Sequence, residues 1–423
     1  MLNHQLTTLK NGLRLITVPM KSIESMTVMI GVGAGSRYET KETNGLSHFL
    51  EHMLFKGTKK RPTTLDISST LDSIGAEFNA GTEKEWTIYY VKANTTHQNL
   101  AFDILADMVL NSKLEEEEIE REKGVIIEEL NMYEDTPIQK ISEVFESLLY
   151  SPKPLSWYVG GLKENIRAIK RDDFLEYQKK LYLPGNMVVV KAGKAEEKEA
   201  LGLTEKYFGG LKSAPKDEFK PNIYLKQKNS RVRLRKKKTN QSHFCLGFRG
   251  YANSHSDHYA LSVLAIILGG SMSSRMFTQV RERRGLAYYI TTSRGFYLDT
   301  GYLVTQAGVD VNKIDEAIKV ILHEYWQVIE QKVDLKELNK AKEFLKGRLI
   351  LALEHSDVVA ERYALQALLE KKIKDPQETI EIVDKVTPED IQRVAKDIFA
   401  PEKLNLAIIG PYNDEERFLK LLK

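Results

Sequence analysis

The chain has 423 residues, too many for one ordinary hydrophobic core, and this length points to about two to four domains. Its 42% apolar and 29% charged residues are those of a globular protein, and a net charge of +3 gives no strong preference for nucleic acid or a membrane surface. The one cysteine, Cys245, excludes an intramolecular disulfide and fits a reducing, cytoplasmic setting.

Met1-Leu2-Asn3-His4-Gln5 lacks a basic start followed by an apolar core, so no secretory signal is read there. No run of 18 apolar residues occurs, which excludes a helical membrane span. Residues 6–9 and 13–18 flank Asn11-Gly12 and predict a hairpin. In residues 25–33, Met26, Val28, Ile30 and Val32 alternate on one face of a second strand. Asn44 then offers a cap for a helix that begins near Gly45.

That helix is the most informative stretch. Leu46, Phe49, Leu50, Met53 and Leu54 recur at helical period and form a face that must be buried. His48 and His52 are four residues apart and share one side, where two imidazoles reach one zinc ion. Glu51 sits beside them without having to bind, which suits a general base acting on water activated by the ion. The order His-x-x-Glu-His is that of the inverzincins. Short motifs also arise by accident, and two histidines on a half-buried helix are often ordinary core or surface groups. A third ligand decides between these readings.

Further on, residues 65–74 predict a helix ended by Gly75, and residues 77–82 lead into a strand over 85–92. Residues 97–110 predict a helix with Leu100, Ile104, Leu105, Met108 and Val109 inward, followed by another over 115–133. In the latter, Glu122 and Glu129 lie two turns apart on one face. A carboxylate there is a chemically sensible third ligand with a fourth position left open, although spacing alone favours a solvated helix face.

Gly35-Ser36-Arg37, Gly45 through Gly57, Phe78-Asn79-Ala80 and Glu122 through Glu129 resemble the pitrilysin family of zinc metallopeptidases, which includes bacterial processing-peptidase homologues. The resemblance implies one zinc ion per chain. It puts the third ligand 77 residues after the second histidine, at Glu129, with neighbouring Glu128 as the fallback. It puts a supporting acid on Glu122. It also implies that Asn79 and Ala80 lie on a sheet edge where substrate adds as a strand, and that Phe55 lines a side-chain subsite, core packing being an equal reading.

The second half repeats the first. Pro184 and Pro401, Gly193 and Gly410, and Asp173-Phe174 and Asp390-Ile391 are all 217 residues apart. Leu46-Ser47 matches Leu261-Ser262 at 215, and Ala101 matches Ala317 at 216. Such steady offsets argue for a duplicated domain. They predict a first domain at 1–212, a linker at 213–228 and a copy at 229–423. At these offsets His48, Glu51 and His52 fall on Val263, Ile266 and Ile267, while Glu122 and Glu129 fall near Ala341 and Arg348. The copy keeps the apolar pattern and lacks every proposed metal group, so the fold does not require them.

In the copy, the resemblance implies that Arg281 and Tyr288 hold the substrate backbone, as donors suited to a developing oxyanion. Read by themselves they are a solvated helix end and a strand residue. His255-Ser256-Asp257-His258 reads as a solvated turn, and residues 331–346 as a charged helix face. The basic run 231–238 alternates with Val232 and Leu234 and reads as an exposed strand, not a nucleic-acid patch, with no stacking aromatics beside it. Cys245, in an apolar run, reads as a buried, inert thiol.

The expected fold is α+β, two duplicated domains each with a mostly antiparallel sheet packed with helices. The resemblance implies that they form half of a clamshell chamber completed by a homodimer, or a heterodimer with a paralogue. It implies an endopeptidase cleaving unfolded peptides or presequences inside that chamber. The competing reading is a non-catalytic scaffold or partner subunit of a heterodimeric peptidase. Such relatives lose part of the zinc set, and this chain has all of it.

Overall fold

The computed structural model describes residues 2–213, 226–370 and 372–423; over residues 214–225 the expected linker lies outside them. The first hairpin forms as its turn pair dictates. Gly12 takes φ +92°, the Asn11 side chain accepts the Leu13 N–H at 3.1 Å, and β1 (Gln5–Thr8) pairs antiparallel with β2 (Arg14–Pro19). With β3 (Ser25–Val32), β4 (Glu77–Thr82), β5 (Thr87–Asn94) and β6 (Met187–Gly193) they make a six-stranded sheet ordered β1-β2-β6-β3-β5-β4. Its pairs are antiparallel except β2 with β6.

Two strand boundaries differ from expectation. Residues 77–82 form a strand of their own, and the next begins at Thr87 rather than at 85. A tight turn closed by Glu83 N–H to the Trp86 carbonyl at 2.9 Å separates them. Glu85 leaves the ladder because its carboxylate pairs with Arg37, both nearly fully buried.

The second sheet holds β7 (Arg231–Lys236), β8 (Gln241–Gly250), β9 (Ala287–Phe296), β10 (Gly301–Asp310) and β11 (Asn405–Gly410), ordered β7-β11-β8-β10-β9. It repeats the first sheet without β1, down to the single parallel pair, β7 with β11. The offset of 217 between β6 and β11 therefore relates the same strand of two copies of one α+β design.

In the first sheet, side chains on β6 alternate between two cores, as the pleat requires. Met187 and Val189 join the cluster under α1 (Leu46–Leu54), α2 (Thr64–Asp72), α3 (Gln98–Asn111) and α4 (Glu116–Asp135). Val188, Val190 and Ala192 face the opposite way, against Val359, Ala360, Tyr363 and Ala364 of the helix Ser356–Leu369. The matching face of the second sheet is covered by α5 (Pro137–Tyr150), whose Ile141, Phe145 and Leu149 pack on Cys245, Ala407 and Ile409. Each compact unit therefore takes one covering helix from the other half of the chain. The first unit joins the stretch up to Asn131 to Ile350–Gln377, and the second includes Met132–Ser156 and Glu378–Lys423.

The basic run behaves as an edge strand. Val232 and Leu234 pack on the second core, Arg235 pairs with Glu134, and Lys237 Nζ donates to the Glu134 carbonyl at 2.7 Å. Asp257 is held by both terminal nitrogens of Arg393 at 2.6 and 2.7 Å, and His255 stacks on Tyr251. Cys245 is a buried free thiol. Among the described residues no helix is long and apolar enough to cross a membrane.

The borrowed helix makes a specific forecast. Ala364→Asp places a carboxylate in a fully buried position and is expected to destabilise by roughly 3 kcal/mol or more. Hydrogen exchange read by mass spectrometry should lose protection in β3 and β6, more than 150 residues away in sequence, before β8 and β10. Uniform protection in all four strands would show that this helix does not hold the first sheet.

Candidate metal centre

α1 begins where the chain turns through Gly45 at φ +105°. A Cβ there would lie 2.8 Å from Ile166 Cδ1 and 2.9 Å from the Gly160 carbonyl oxygen, so only glycine fits. The expected Asn44 cap is replaced by a buried carboxylate. Glu39 accepts the backbone N–H groups of Gly45 at 2.9 Å and Ser47 at 2.7 Å, the Ser47 hydroxyl, and Asn44 Nδ2 at 2.9 Å. Burial pushes the Glu39 pKa up, against the hydrogen bonds from Ser47, Asn44 and Gly45, and Asn44 serves the carboxylate as a donor.

The anticipated apolar face is buried: Phe49, Leu50, Met53 and Leu54 are at 0% exposure and Leu46 at 2%. Phe49 meets Phe174 edge-on with ring centroids 5.0 Å apart. Burial of five such side chains contributes on the order of 10 kcal/mol gross, enough to fix which way the helix faces. His48, Glu51 and His52 consequently share the other side, with the imidazole centroids 4.7 Å apart. On α4, Ile119, Ile126 and Leu130 point into the core, and Glu122 and Glu129 meet α1.

His48 Nε2 lies 3.7 Å from Glu129 Oε1, and His52 Nε2 lies 3.5 Å from Glu129 Oε2. These gaps exceed hydrogen-bond length. They match two donors each about 2.0–2.1 Å from a shared tetrahedral ion, for which neighbouring ligands stand about 3.4 Å apart. The candidate ligand atoms all lie within 4.8 Å of one another, and no other group of three histidine, cysteine or acidic residues among those described is so arranged.

The second ring nitrogen of His52 is also accounted for. His52 Nδ1 lies 2.9 Å from Glu122 Oε1, and Lys56 Nζ lies 2.5 Å from Glu122 Oε2. An ionised carboxylate only accepts, so Nδ1 carries the proton and Nε2 presents its lone pair. Burial drives the His48 pKa down to about 3, aided by the nearby positive charge of His52, so this ring is neutral and able to ligate. For His52, burial opposes the charged form, but Glu122, Glu129 and Glu51 together outweigh it and raise the pKa. The donor set thus fits a divalent cation: two imidazole nitrogens and one carboxylate, one nitrogen oriented from behind.

Glu51 stands beside this set. Thr82 Oγ1 donates to Glu51 Oε2 at 2.6 Å. Burial raises the Glu51 pKa, with the Glu129 charge acting in the same direction against Thr82 and His52. Glu128, by contrast, is exposed, accepts from Asn131 Nδ2 at 3.2 Å, and lies outside the cluster. Phe55 stacks on Phe78 with centroids 6.4 Å apart, against the first core. Asn79 and Ala80 lie on β4, an edge strand of the first sheet among the described residues. Arg281 and Tyr288 belong to the second unit, where Arg281 lies over the Phe277 ring and Tyr288 is 61% exposed on edge strand β9. Sequence reasoning missed Thr82 and Glu39, which act from outside the motif.

Residues 15–157 match the family described as Insulinase (Peptidase family M16), and residues 168–345 match that described as Peptidase M16 inactive domain. A Bacillus subtilis protein named uncharacterized zinc protease YmxG is 35% identical over 406 residues, covering 96% of this chain and 97% of its own length. The chain belongs to peptidase family M16. An uncharacterized zinc protease of Streptomyces coelicolor is 34% identical over 97% of this chain and 90% of its own. The crystal structure of a protease from Helicobacter pylori shares the M16 fold with a TM-score of 0.91 at 24% identity, covering 97% of this chain and all of that one. The relatives' names support a peptidase role and zinc as the metal.

Removing the proposed carboxylate ligand tests the donor set. Glu129→Gln should purify with well under one zinc per chain by plasma mass spectrometry, and exposed Glu128→Gln should keep the wild-type content. Full zinc in Glu129→Gln would remove it from the ligand set.

Proposed function

We propose that this M16 chain is a zinc-dependent endopeptidase whose metal is held by His48, His52 and Glu129. One observation carries the reading: three ligand atoms from two helices converge within 4.8 Å beside a carboxylate that belongs to none of them. A zinc ion bound there supplies Lewis acidity toward water and a scissile carbonyl.

The remaining steps are assigned to the chain's own groups. Glu51 takes the proton from the attacking water and delivers it to the leaving amine. The hydrogen bond from Thr82 fixes one carboxylate oxygen and leaves the other available for the proton. Glu122 orients His52. Extended, unfolded peptide is the proposed substrate, because β4 ends its sheet with no further strand beside it among the described residues. Asn79, Ala80 and Phe55 are its proposed contacts on the first unit. Arg281 and Tyr288 are carried as proposed contacts on the resemblance alone, and Tyr288 is exposed enough to serve.

A scaffold or partner subunit is the competing reading, and the inactive-domain match over residues 168–345 is what favours it. That stretch includes Val263, Ile266 and Ile267 in place of the metal groups, as a half without catalytic duty would. The intact set in the other half argues for activity. The single buried cysteine suits a cytoplasmic location.

Peptide cleavage followed by mass spectrometry separates the two readings. Glu51→Gln is expected to keep one zinc per chain and lose turnover by at least about 100-fold, and a chelator should abolish wild-type cleavage until zinc is restored. Equal cleavage by wild type and Glu51→Gln would take Glu51 out of the chemistry. A wild type with zinc and no cleavage of any unfolded peptide would favour the scaffold. We also propose a homodimer on the strength of the resemblance; sedimentation equilibrium should give twice the chain mass, and a strict monomer would remove this assembly.

A further inference from the structure

Lys56 is not part of the histidine motif, yet it ends in the same hydrogen-bonded chain. It lies four residues after His52 and just beyond the C-cap Phe55 of α1. Its backbone is anchored, with the N–H bonded to the Met53 carbonyl at 3.1 Å. Its ammonium reaches Glu122 Oε2 at 2.5 Å, while Glu122 Oε1 meets His52 Nδ1 at 2.9 Å. We propose that Lys56 is a positioning residue for the metal centre, holding the Glu122 carboxylate so that His52 keeps Nε2 directed at the ion. The proposal rests on the reading of His48, His52 and Glu129 as a zinc site.

Three physical points carry it. A carboxylate with one donor is free to turn about its last torsion, whose energy is broad. With one donor on each oxygen, the Glu122 plane is set and the line from Oε1 to His52 is fixed. Water is a poor substitute for a lost donor, because the Glu122 side chain is only 4% exposed. Finally, Glu122 meets α1 at its C-terminal end, where the helix dipole disfavours a negative charge and favours a lysine. The duplicated half agrees. At the offset that carries His52 to Ile267, Lys56 falls on Ser271, and the counterpart of Glu122 is Ala341. The cation and its carboxylate are missing together where there is no imidazole to orient.

An ordinary ion pair predicts something different from a positioning role, so coupling is the quantity to measure. Zinc affinity is determined by competition with a chromophoric chelator for the full-length wild type, Lys56→Met, Lys56→Arg, Glu122→Gln and the Lys56→Met/Glu122→Gln double variant. Thermal melts of each zinc-free protein are recorded alongside. Lys56→Met should weaken zinc binding about tenfold, the low end of the effect of losing an outer-shell partner. Lys56→Arg should restore most of it. In the Glu122→Gln background Lys56→Met should add less than about twofold, because the group it acts through is already altered.

Wild-type zinc affinity in Lys56→Met overturns the proposal, as does an equal loss in both backgrounds. So does a loss that follows a lowered zinc-free melting temperature and is not rescued by arginine, since that describes a fold contact. These outcomes concern Lys56 alone when the wild type holds one zinc per chain. A wild type that binds none overturns the metal-site reading and this inference with it.

Discussion

The burial of one face of a nine-residue helix is the constraint on which the rest of the site depends. Leu46, Phe49, Leu50, Met53 and Leu54 are all buried in the first core. Because the helical period is fixed, committing those five residues also commits His48, Glu51 and His52 to a common side. Glu39 and Gly45 hold the start of the helix, so it cannot slide along its axis to relieve the crowding of polar groups. The imidazoles are thus brought together by forces that have nothing to do with metal binding.

Three carboxylates then converge on two imidazoles in a partly buried place, an arrangement that a fold does not need. The second unit makes this plain. Its helix His258–Gly269 is apolar almost all round, with Val263 and Ile267 buried where the first unit has histidines, and the same strand order forms around it. Polar groups at the corresponding positions of α1 lower the apolar area available to the core and add like-charge repulsion between Glu51 and Glu129. A divalent cation held there would relieve that repulsion.

Much of this is legible in the sequence. Period alone identified the buried face of α1 and the shared side of its histidines, and the regular offsets between halves anticipated two sheets of one design. Glu129 was legible only by resemblance, since the spacing of Glu122 and Glu129 on α4 describes a solvated face equally well. Other features left no local trace. Glu39 caps a helix that begins seven residues later, beyond the reach of the usual capping signal, while Asn44, next to the helix, looked the better cap. Asn79-Ala80-Gly81 are poor strand formers, and only pairing with Tyr90, Tyr89 and Ile88 on β5 makes them a strand. The amphipathic pattern of Pro137–Tyr150 announces burial but cannot say against which sheet.

That last point bears on how the chain is made. The elements of the first unit, from β1 to the helix Glu197–Phe208, are synthesised long before the helix Ser356–Leu369 that closes over Ile16, Val18, Met29 and Val190. Residues 209–355 separate the two, which at ordinary elongation rates is a wait of roughly 7–30 s on the ribosome. Throughout it the nascent sheet carries an apolar face with no cover of its own. Closure of the first unit is therefore a late event, tied to translation of the second half of the chain.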